Sequence, residues 1–301
     1  MMTVKKILIN EDNEGRRIDN FLISIFSTVP KSKIYNIIRK GEVRVNSSRK
    51  KPNYKLKLND LIRIPPNLET LDKKIKIIKS DQISKHTKNI IYENDNFIVA
   101  NKRNDIAVHG GSKNSYGLID IFRKRYGNNL DLCHRLDKST SGCIVFAKNK
   151  KAAKHFSKCL KNKDVKKTYS TILKGKIKKN IIVDIPIYKN STLKSKVAFS
   201  KFILKKKLKN TSLVDVEIDT GRTHQIRIHA SKLNHHIIFD KKYGDKDFDK
   251  SLNIGNHQIA LHAKEIIFPD LNNKMISVKS KLPVEFNLSL IHISEPTRRY
   301  R

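Results

Sequence analysis

The chain has 301 residues, of which 64 are Lys or Arg and 28 are Asp or Glu, so its formal net charge is +36. A chain of this length typically forms about two domains, and the absence of any run of about 18 apolar residues excludes a membrane-spanning helix. The charge predicts a polyanionic partner, although a general enrichment in lysine explains part of it. We expect no secretory signal peptide and a cytoplasmic location.

Residues 15–65 are predicted to form a small α+β domain. Apolar residues at helical spacing predict a first helix over Asp19–Phe26 and a second helix after Lys31. Gly41 is typical of the residue that ends a helix, and alternating apolar residues predict a short strand at Val43–Asn46.

Residues 66–87 show no coherent pattern and are predicted to be a linker before a larger domain, 88–289. Hairpin residues at Glu93–Asn96 join two apolar runs, and Asn149 is typical of a helix N-cap. Further strands are predicted at Cys143–Ala147, Val165–Leu173 and Leu213–Ile218. These runs predict a mixed α+β domain. Residues 290–301 continue the pattern poorly and are treated as a tail of doubtful origin.

The segment His134–Gly142 places a carboxylate, Asp137, beside Arg135 and Lys138 in a turn that precedes a buried strand. The edge of a sheet can hold such a side chain rigidly. A nearby cation keeps the carboxylate ionised and available as a nucleophile or base. An aspartate that only caps a turn is the commoner explanation, and spacing alone favours it.

The segment Gly221–His229 carries Arg222 and Arg227 at the predicted start of a helix, where phosphate or carboxylate groups bind readily. Thr223 is predicted to cap that helix. A basic helix face that pairs with surface acids is the alternative interpretation.

Metal binding is not expected. His224 and His229 do not share a helical face, and no His-Glu-x-x-His pattern occurs. The cysteines, Cys133, Cys143 and Cys159, form no Cys-x-x-Cys pattern, so we expect reduced thiols in a cytosol.

The segment Lys166–Tyr169 begins a predicted strand. A tyrosine in this place can stack on a nucleic-acid base while its basic neighbours hold phosphate. An ordinary cross-strand aromatic residue fits the segment equally well.

Taken together, these segments resemble the pseudouridine synthase family that modifies ribosomal RNA. The resemblance rests on the His-Arg-Leu-Asp signature at 134–142, the Lys-x-Tyr at 167–169 and the Gly-Arg-Thr-His-Gln-Ile-Arg signature at 221–227. The segments 15–22 and 40–46 resemble an S4 RNA-binding domain. The likeness covers about residues 10–288. Three further segments, 30–35, 107–111 and 239–245, resemble the subgroup that acts on the large ribosomal subunit.

The chain departs from the family pattern in one turn. Arg103 stands where the family usually has a proline, and Asp105 stands where it usually has a glycine. These replacements put the rigidity of the turn in doubt, not the chemistry.

The resemblance implies a fold and an activity. The fold is an S4-like α+β domain followed by a catalytic domain on a mixed, largely antiparallel sheet. The activity is the isomerisation of specific uridines to pseudouridine in 23S ribosomal RNA of the large subunit or its precursor, without a cofactor or metal. We expect a monomer, although the sequence leaves the oligomeric state open. Asp137 would be the nucleophile, which attacks either the ribose or the base.

The resemblance also assigns three substrate-binding residues. Arg135 would fill the space left by the flipped uridine, Tyr169 would stack on the flipped base, and Arg227 would pair with Asp137. Two other functions stay open: a non-catalytic RNA-binding or ribosome-assembly protein of the same fold, and a metal-dependent nuclease that uses the histidines and scattered acids.

Overall fold

A computed structural model of the chain describes residues 4–26, 29–66, 68, 78–110, 116–188, 195–254, 258–283 and 286. The chain divides into two compact units, Met1–Ile77 and Ile78–Arg301. The predicted tail, 290–301, lies outside the described residues. None of the helices in the described ranges is long and apolar enough to cross a membrane.

The first unit has two helices and a small antiparallel sheet. The helices are α1 (Ile18–Ile25) and α2 (Lys31–Lys40), and the strands are β1 (Lys5–Leu8), β2 (Arg44–Val45) and β3 (Leu61–Ile64), in the order β1-β3-β2. Both predicted helices are confirmed. Gly41 ends α2 at φ 74°, a left-handed conformation that glycine adopts without steric cost. The apolar faces of the helices pack on the sheet and form a separate core. Strand β1 lies before the range 15–65 that the sequence pattern predicts.

The second unit contains the remaining elements. Its helices are α3 (Ser80–Thr87), α4 (Leu118–Tyr126), α5 (Lys150–Asn162), α6 (Gln225–Lys232) and α7 (Lys246–Ser251). Its strands are β4 (Ile90–Glu93), β5 (Phe97–Lys102), β6 (Asp131–Leu132), β7 (Ser141–Ala147), β8 (Lys166–Lys174), β9 (Ile181–Asp184), β10 (Ile187–Tyr188), β11 (Ser195–Lys196), β12 (Phe199–Lys207), β13 (Thr211–Ile218), β14 (Leu261–Pro269) and β15 (Met275–Lys279).

A large sheet organises this unit. Its strand order is β4-β5-β7-β14-β8-β13-β12-β9, with β15 added to β14 and β6 added to β7. Strands β7 and β14 pair in parallel, whereas the other described pairs of this sheet are antiparallel. The mixed, largely antiparallel sheet and the α+β fold are therefore confirmed.

Both faces of the sheet are covered, which explains why every residue of β7 is buried. On one face Ile98 and Phe146 pack with apolar residues of α4 and α6. On the other face Phe97 and Val145 pack with Phe156 of α5. The predicted cap of α5 is confirmed, since the Asn149 side chain accepts a hydrogen bond from the backbone N–H of Ala152 at 2.8 Å.

Helix α3 lies within the range 66–87 that the sequence pattern predicts as a linker, and it belongs to the second unit. Its only buried residues are His86 and Thr87, while Ile83 is partly buried against the main core. A helix with so small an apolar face gives almost no periodic signal in the sequence.

Candidate active site

The strand register places the segment His134–Gly142 beside the segment Lys166–Tyr169. Gly142 of β7 lies opposite Ala263 of β14, which lies opposite Tyr169 of β8, which lies opposite Val216 of β13. This row across the sheet sets the loop that precedes β7 close to Tyr169. The loop carries Arg135 and Asp137.

Gly142 makes this close strand pairing possible. Its φ is 108°, and a Cβ atom at this position would come within 2.2 Å of the Ala263 carbonyl oxygen. Any side chain here would force β7 and β14 apart. The glycine that ends the His-Arg-Leu-Asp signature therefore keeps the Asp137 loop against the sheet.

All four predicted site residues line one pocket at this end of the sheet. The pocket walls include Arg135, Asp137, Tyr169 and Arg227, together with residues of the loop that leads from β13 into α6. The side chain of Tyr169 is buried, and burial raises the pKa of its hydroxyl well above the usual value. Arg135 is exposed at the rim. The structure thus brings together residues that are up to 92 positions apart in the chain.

Asp137 is the carboxylate of the pocket, and its side chain is 17% exposed. Nη1 of Arg227 lies 3.5 Å from its Oδ2 atom, and Nε2 of His224 lies 3.8 Å from the same oxygen. Its backbone carbonyl accepts a hydrogen bond from the N–H of Thr140 at 3.1 Å, so Asp137 also opens a turn. The turn explanation and the functional one are therefore compatible, because the backbone makes the turn while the side chain points to the cations.

Arg227 is fixed from behind by Asp240. Its Nε and Nη2 atoms donate to the two carboxylate oxygens of Asp240 at 2.7 and 2.6 Å, a two-pronged geometry that sets the plane of the guanidinium. Burial alone would lower the pKa of Arg227, but Asp240 and Asp137 raise it above its ordinary value. Burial alone would raise the pKa of Asp240, but Arg227 and the N–H groups of Lys242 and Tyr243 lower it. Both groups are therefore charged.

His224 and Tyr243 lie beside the pair formed by Asp137 and Arg227. The Tyr243 hydroxyl lies 3.1 Å from Nδ1 of His224, and the Tyr243 ring lies 5.1 Å from the guanidinium carbon of Arg227. Burial lowers the pKa of His224, an effect that the nearby Asp137 opposes. When the tyrosine hydroxyl donates to Nδ1, the neutral ring carries its proton on Nε2, the atom that faces Asp137.

The predicted cap at Thr223 is wrong. His224 occupies the N-cap position of α6 with φ 56°, and no side-chain cap is present. The side chain of Gln225 accepts hydrogen bonds from the Arg222 N–H and the Thr220 hydroxyl instead. A left-handed residue that is not glycine is uncommon and is concentrated at functional sites. Here it directs His224 toward the Asp137 pocket.

Lys102 stabilises the Asp137 loop through hydrogen bonds to its backbone. Its side chain is buried, and its Nζ donates to the carbonyl oxygens of Arg103, Lys138 and Thr140 at 2.7, 2.9 and 2.8 Å. Lys138 and Thr140 belong to the turn that Asp137 opens, so Lys102 ties that turn to the end of β5. Burial lowers the pKa of Lys102 to about 7.

The turn at Arg103 and Asp105, which lacks the proline and glycine usual in the family, is stabilised by ion pairs. Asp105 lies 2.9 Å from Nζ of Lys85 in α3 and 3.5 Å from Nε of Arg103. These groups are partly exposed, so each pair contributes little to stability, about 0–1 kcal/mol. They nevertheless give the turn contacts to α3 that a proline and a glycine cannot make.

Asp240, His224, Tyr243 and Lys102 are site residues to which the sequence pattern assigned no role. The only signal for Asp240 and Tyr243 was their place in the segment 239–245, which carried part of the family resemblance. Within the described ranges, no group of three His, Cys, Asp or Glu side chains could hold a metal ion.

Two sequence profiles match the chain. The profile of the S4 domain matches residues 16–62, and that of the RNA pseudouridylate synthase family matches residues 96–232. The second range contains Arg135, Asp137, Tyr169 and Arg227.

Curated relatives extend the match over nearly the whole chain. Ribosomal large subunit pseudouridine synthase C of Haemophilus influenzae is 38% identical over 305 residues, which cover 96% of this chain and 92% of that protein. The protein of the same name from Pasteurella multocida is 39% identical over 281 residues, which cover 88% of this chain and 86% of that protein. The chain therefore belongs to the RNA pseudouridine synthase family and is an isomerase.

Solved structures agree in fold. Human RNA Pseudouridylate Synthase Domain Containing 4 superimposes with a TM-score of 0.61 at 25% identity, covering 70% of this chain and 95% of that one. Human RNA Pseudouridylate Synthase Domain Containing 1 gives a TM-score of 0.56 at 28% identity, covering 65% and 83%.

Proposed function

We propose that this protein isomerises specific uridines of 23S ribosomal RNA, in the large subunit or its precursor, with Asp137 as the nucleophile. One observation carries the proposal: a single partly exposed carboxylate faces the Arg227 guanidinium in a pocket that also contains Tyr169. A charged oxygen held in this way can attack a carbon of the nucleoside.

The reaction divides into bond changes that a carboxylate can drive. The bond between uracil N1 and ribose C1′ breaks, the base rotates, and a bond forms between C5 and C1′. The C5 carbon then loses its proton and N1 gains one, so no electrons are exchanged with a second reactant. Attack by Asp137 on C1′ or on a base carbon would hold one fragment covalently while the other turns.

The other three residues bind the flipped nucleotide. A uridine in a folded RNA is shielded by stacking and must leave the stack to react. Arg135 is exposed at the rim of the pocket, where it can occupy the vacated space. The Tyr169 ring forms a pocket wall on which uracil can stack. Arg227 pairs with Asp137 at 3.5 Å and directs its carboxylate to the pocket.

The choice of RNA rests on other observations. Relatives that share most of this chain are named for the large ribosomal subunit. The net charge of +36 suits a phosphate-rich surface, and the N-terminal unit matches the S4 domain. We further propose that the protein acts as a monomer in the cytoplasm.

Replacing Asp137 tests the assignment. Asp137→Asn should abolish pseudouridine formation in large-subunit RNA from cells that lack the native gene, as measured by mapping the modified positions. RNA binding should survive, because the substitution changes one atom of the side chain. Asp95→Asn, in the exposed turn between β4 and β5 at the opposite end of β5 from Lys102, is the matched control and should restore all positions.

Normal turnover by the Asp137→Asn variant would show that Asp137 is not the nucleophile. A wild-type protein that binds large-subunit RNA without changing any uridine would support the non-catalytic assembly function instead.

A further inference from the structure

Lys167 is a buried cation that has no role in the chemistry described above. It lies two residues before Tyr169 in β8, and because side chains two apart in a strand share a face, it lies on the face that carries the Tyr169 ring. The residue is 8% exposed. Its Nζ lies 4.0 Å from the point that a Cβ atom on Gly221 would occupy, which places the ammonium beside the pocket.

Lys167 has no counterion among the described residues. No carboxylate of the described part of the chain lies within 4.0 Å of its Nζ, and no hydrogen bond satisfies it there. Burial lowers the pKa of Lys167, Asp219 opposes this effect, and the charge of Arg222 adds to it. Asp219 lies 3.8 Å from a different lysine, Lys163. An ammonium that is largely shielded from water and has no partner among the described residues keeps its charge available for a ligand beside the pocket.

Arg222 adds a second cation at the same place. Its Nε donates to the carbonyl oxygen of Val197 at 3.2 Å, which orients the guanidinium while leaving its terminal nitrogens available. Gly221, which precedes Arg222 in the chain and lies near the Lys167 ammonium, presents no side chain, so a ligand can approach the backbone closely. An anion bound here would relieve the repulsion between Lys167 and Arg222.

We propose that Lys167 and Arg222 form a subsite for one backbone phosphate of the RNA, adjacent to the uridine in the pocket. This proposal rests on the proposed function, because it assumes that a nucleotide enters the pocket beside Asp137. A phosphodiester carries one full negative charge and presents two oxygens that ammonium and guanidinium groups both bind. The carbonyl oxygens of uracil are neutral and would offset the two cations far less.

The test combines a protein variant with a modified RNA. The RNA is a synthetic stem-loop of large-subunit sequence in which the wild-type protein converts a uridine. A series of such RNAs carries one uncharged methylphosphonate at each phosphate near that uridine. Lys167→Met keeps the size of the side chain and removes its charge. Lys166→Met is the matched control, since Lys166 is exposed and points to the opposite face.

We expect one methylphosphonate to weaken wild-type binding about tenfold, the size of one hydrogen bond to a charged group. Lys167→Met should weaken binding of the unmodified RNA by a similar factor, and the same methylphosphonate should then cost nothing further, because coupled partners are not additive. The variant should also reduce the slope of log Kd against log salt by about one. Lys166→Met should leave the effect of that methylphosphonate intact.

Independent losses from the variant and the modified phosphate would overturn the subsite, as would a wild-type protein that tolerates every methylphosphonate. Arg222→Gln, at a half-exposed position, gives a second measure of the same coupling if Lys167→Met does not fold. Failure of the wild-type protein to convert any uridine would instead refute the proposed function itself.

Discussion

Arg227 is bound more closely by Asp240 than by Asp137. Its contacts to Asp240 measure 2.6 and 2.7 Å, whereas Asp137 lies 3.5 Å away. The buried Asp240 therefore sets the position of the guanidinium, and Arg227 presents its remaining N–H groups to a carboxylate that stays partly exposed. Asp137 keeps its ion pair without being locked by two short hydrogen bonds, which suits the nucleophile role that we propose for it.

Asp240→Asn should slow the chemical step and destabilise the protein. The amide has only one acceptor oxygen, so one of the two contacts to Arg227 is lost and the buried charge of Arg227 is left partly uncompensated. Breaking a buried pair costs about 3 kcal/mol, which urea unfolding would measure. The single-turnover rate should fall with little change in the Kd for RNA.

Asp247→Asn is the control for this prediction, because Asp247 is an exposed residue of α7 in the same region of the chain. A variant at Asp240 with a normal rate would mean that Arg227 does not need this support.

Local signals in the sequence predicted much of the fold. Gly41 ends α2 and Asn149 begins α5. Both do so through contacts within a few residues, which a local sequence pattern can predict. The Thr223 cap was predicted in the same way and was wrong. His224 takes the N-cap position in a left-handed conformation, and the side chain of Gln225 accepts the hydrogen bonds of the loop from Thr220 and Arg222.

The support of the site could not be predicted from spacing. Lys102 reaches carbonyl groups 36 and 38 residues further along the chain. These contacts exist because β5 and β7 pair side by side. Asp240 likewise meets Arg227 only because the chain turns back after α6. Motif residues carry a family resemblance by themselves, whereas their supporting partners depend on the fold.

Arg135→Ala should impair flipping more than chemistry. If Arg135 fills the space that the uridine vacates, its loss should matter most where the uridine starts in a stable stack. The single-turnover rate should fall strongly on a base-paired stem and much less on an RNA whose target uridine is mismatched or single-stranded. Lys124→Ala, at an exposed residue of α4, is the control for the loss of one positive charge. An equal loss on both RNAs would contradict the flipping role.

Lys102 should make stability depend on pH in a defined direction. Burial lowers the pKa of Lys102 to about 7 from its ordinary value of 10.5, so between these values the unfolded chain holds a proton that the folded chain has released. Stability rises with pH where the unfolded state binds more protons. The difference in unfolding free energy between wild type and Lys102→Met should therefore grow in favour of wild type above about pH 7, by up to about 1.4 kcal/mol per pH unit.

Urea unfolding at pH 6, 7, 8 and 9 measures that difference. Below about pH 7 the two proteins should differ by a constant amount, which reflects the three carbonyl groups that lose their donor. A difference that stays flat up to pH 9 would show that Lys102 remains protonated.

Deleting residues 1–77 should weaken RNA capture while sparing the reaction. The core of the first unit shares no residue with the cores of the second, so the second unit retains its own packing. The first unit carries exposed basic residues on α2, including Lys31, Lys33 and Lys40. Linked binding modules raise overall affinity through their effective concentration, so the Kd should rise at least about tenfold, whereas the single-turnover rate at saturating protein should stay close to that of the full chain. As a control, the full chain with Lys31, Lys33 and Lys40 changed to Ala separates the loss of charge from the loss of the unit. If the deletion lowered the single-turnover rate as much as the affinity, the first unit would take part in forming the active site.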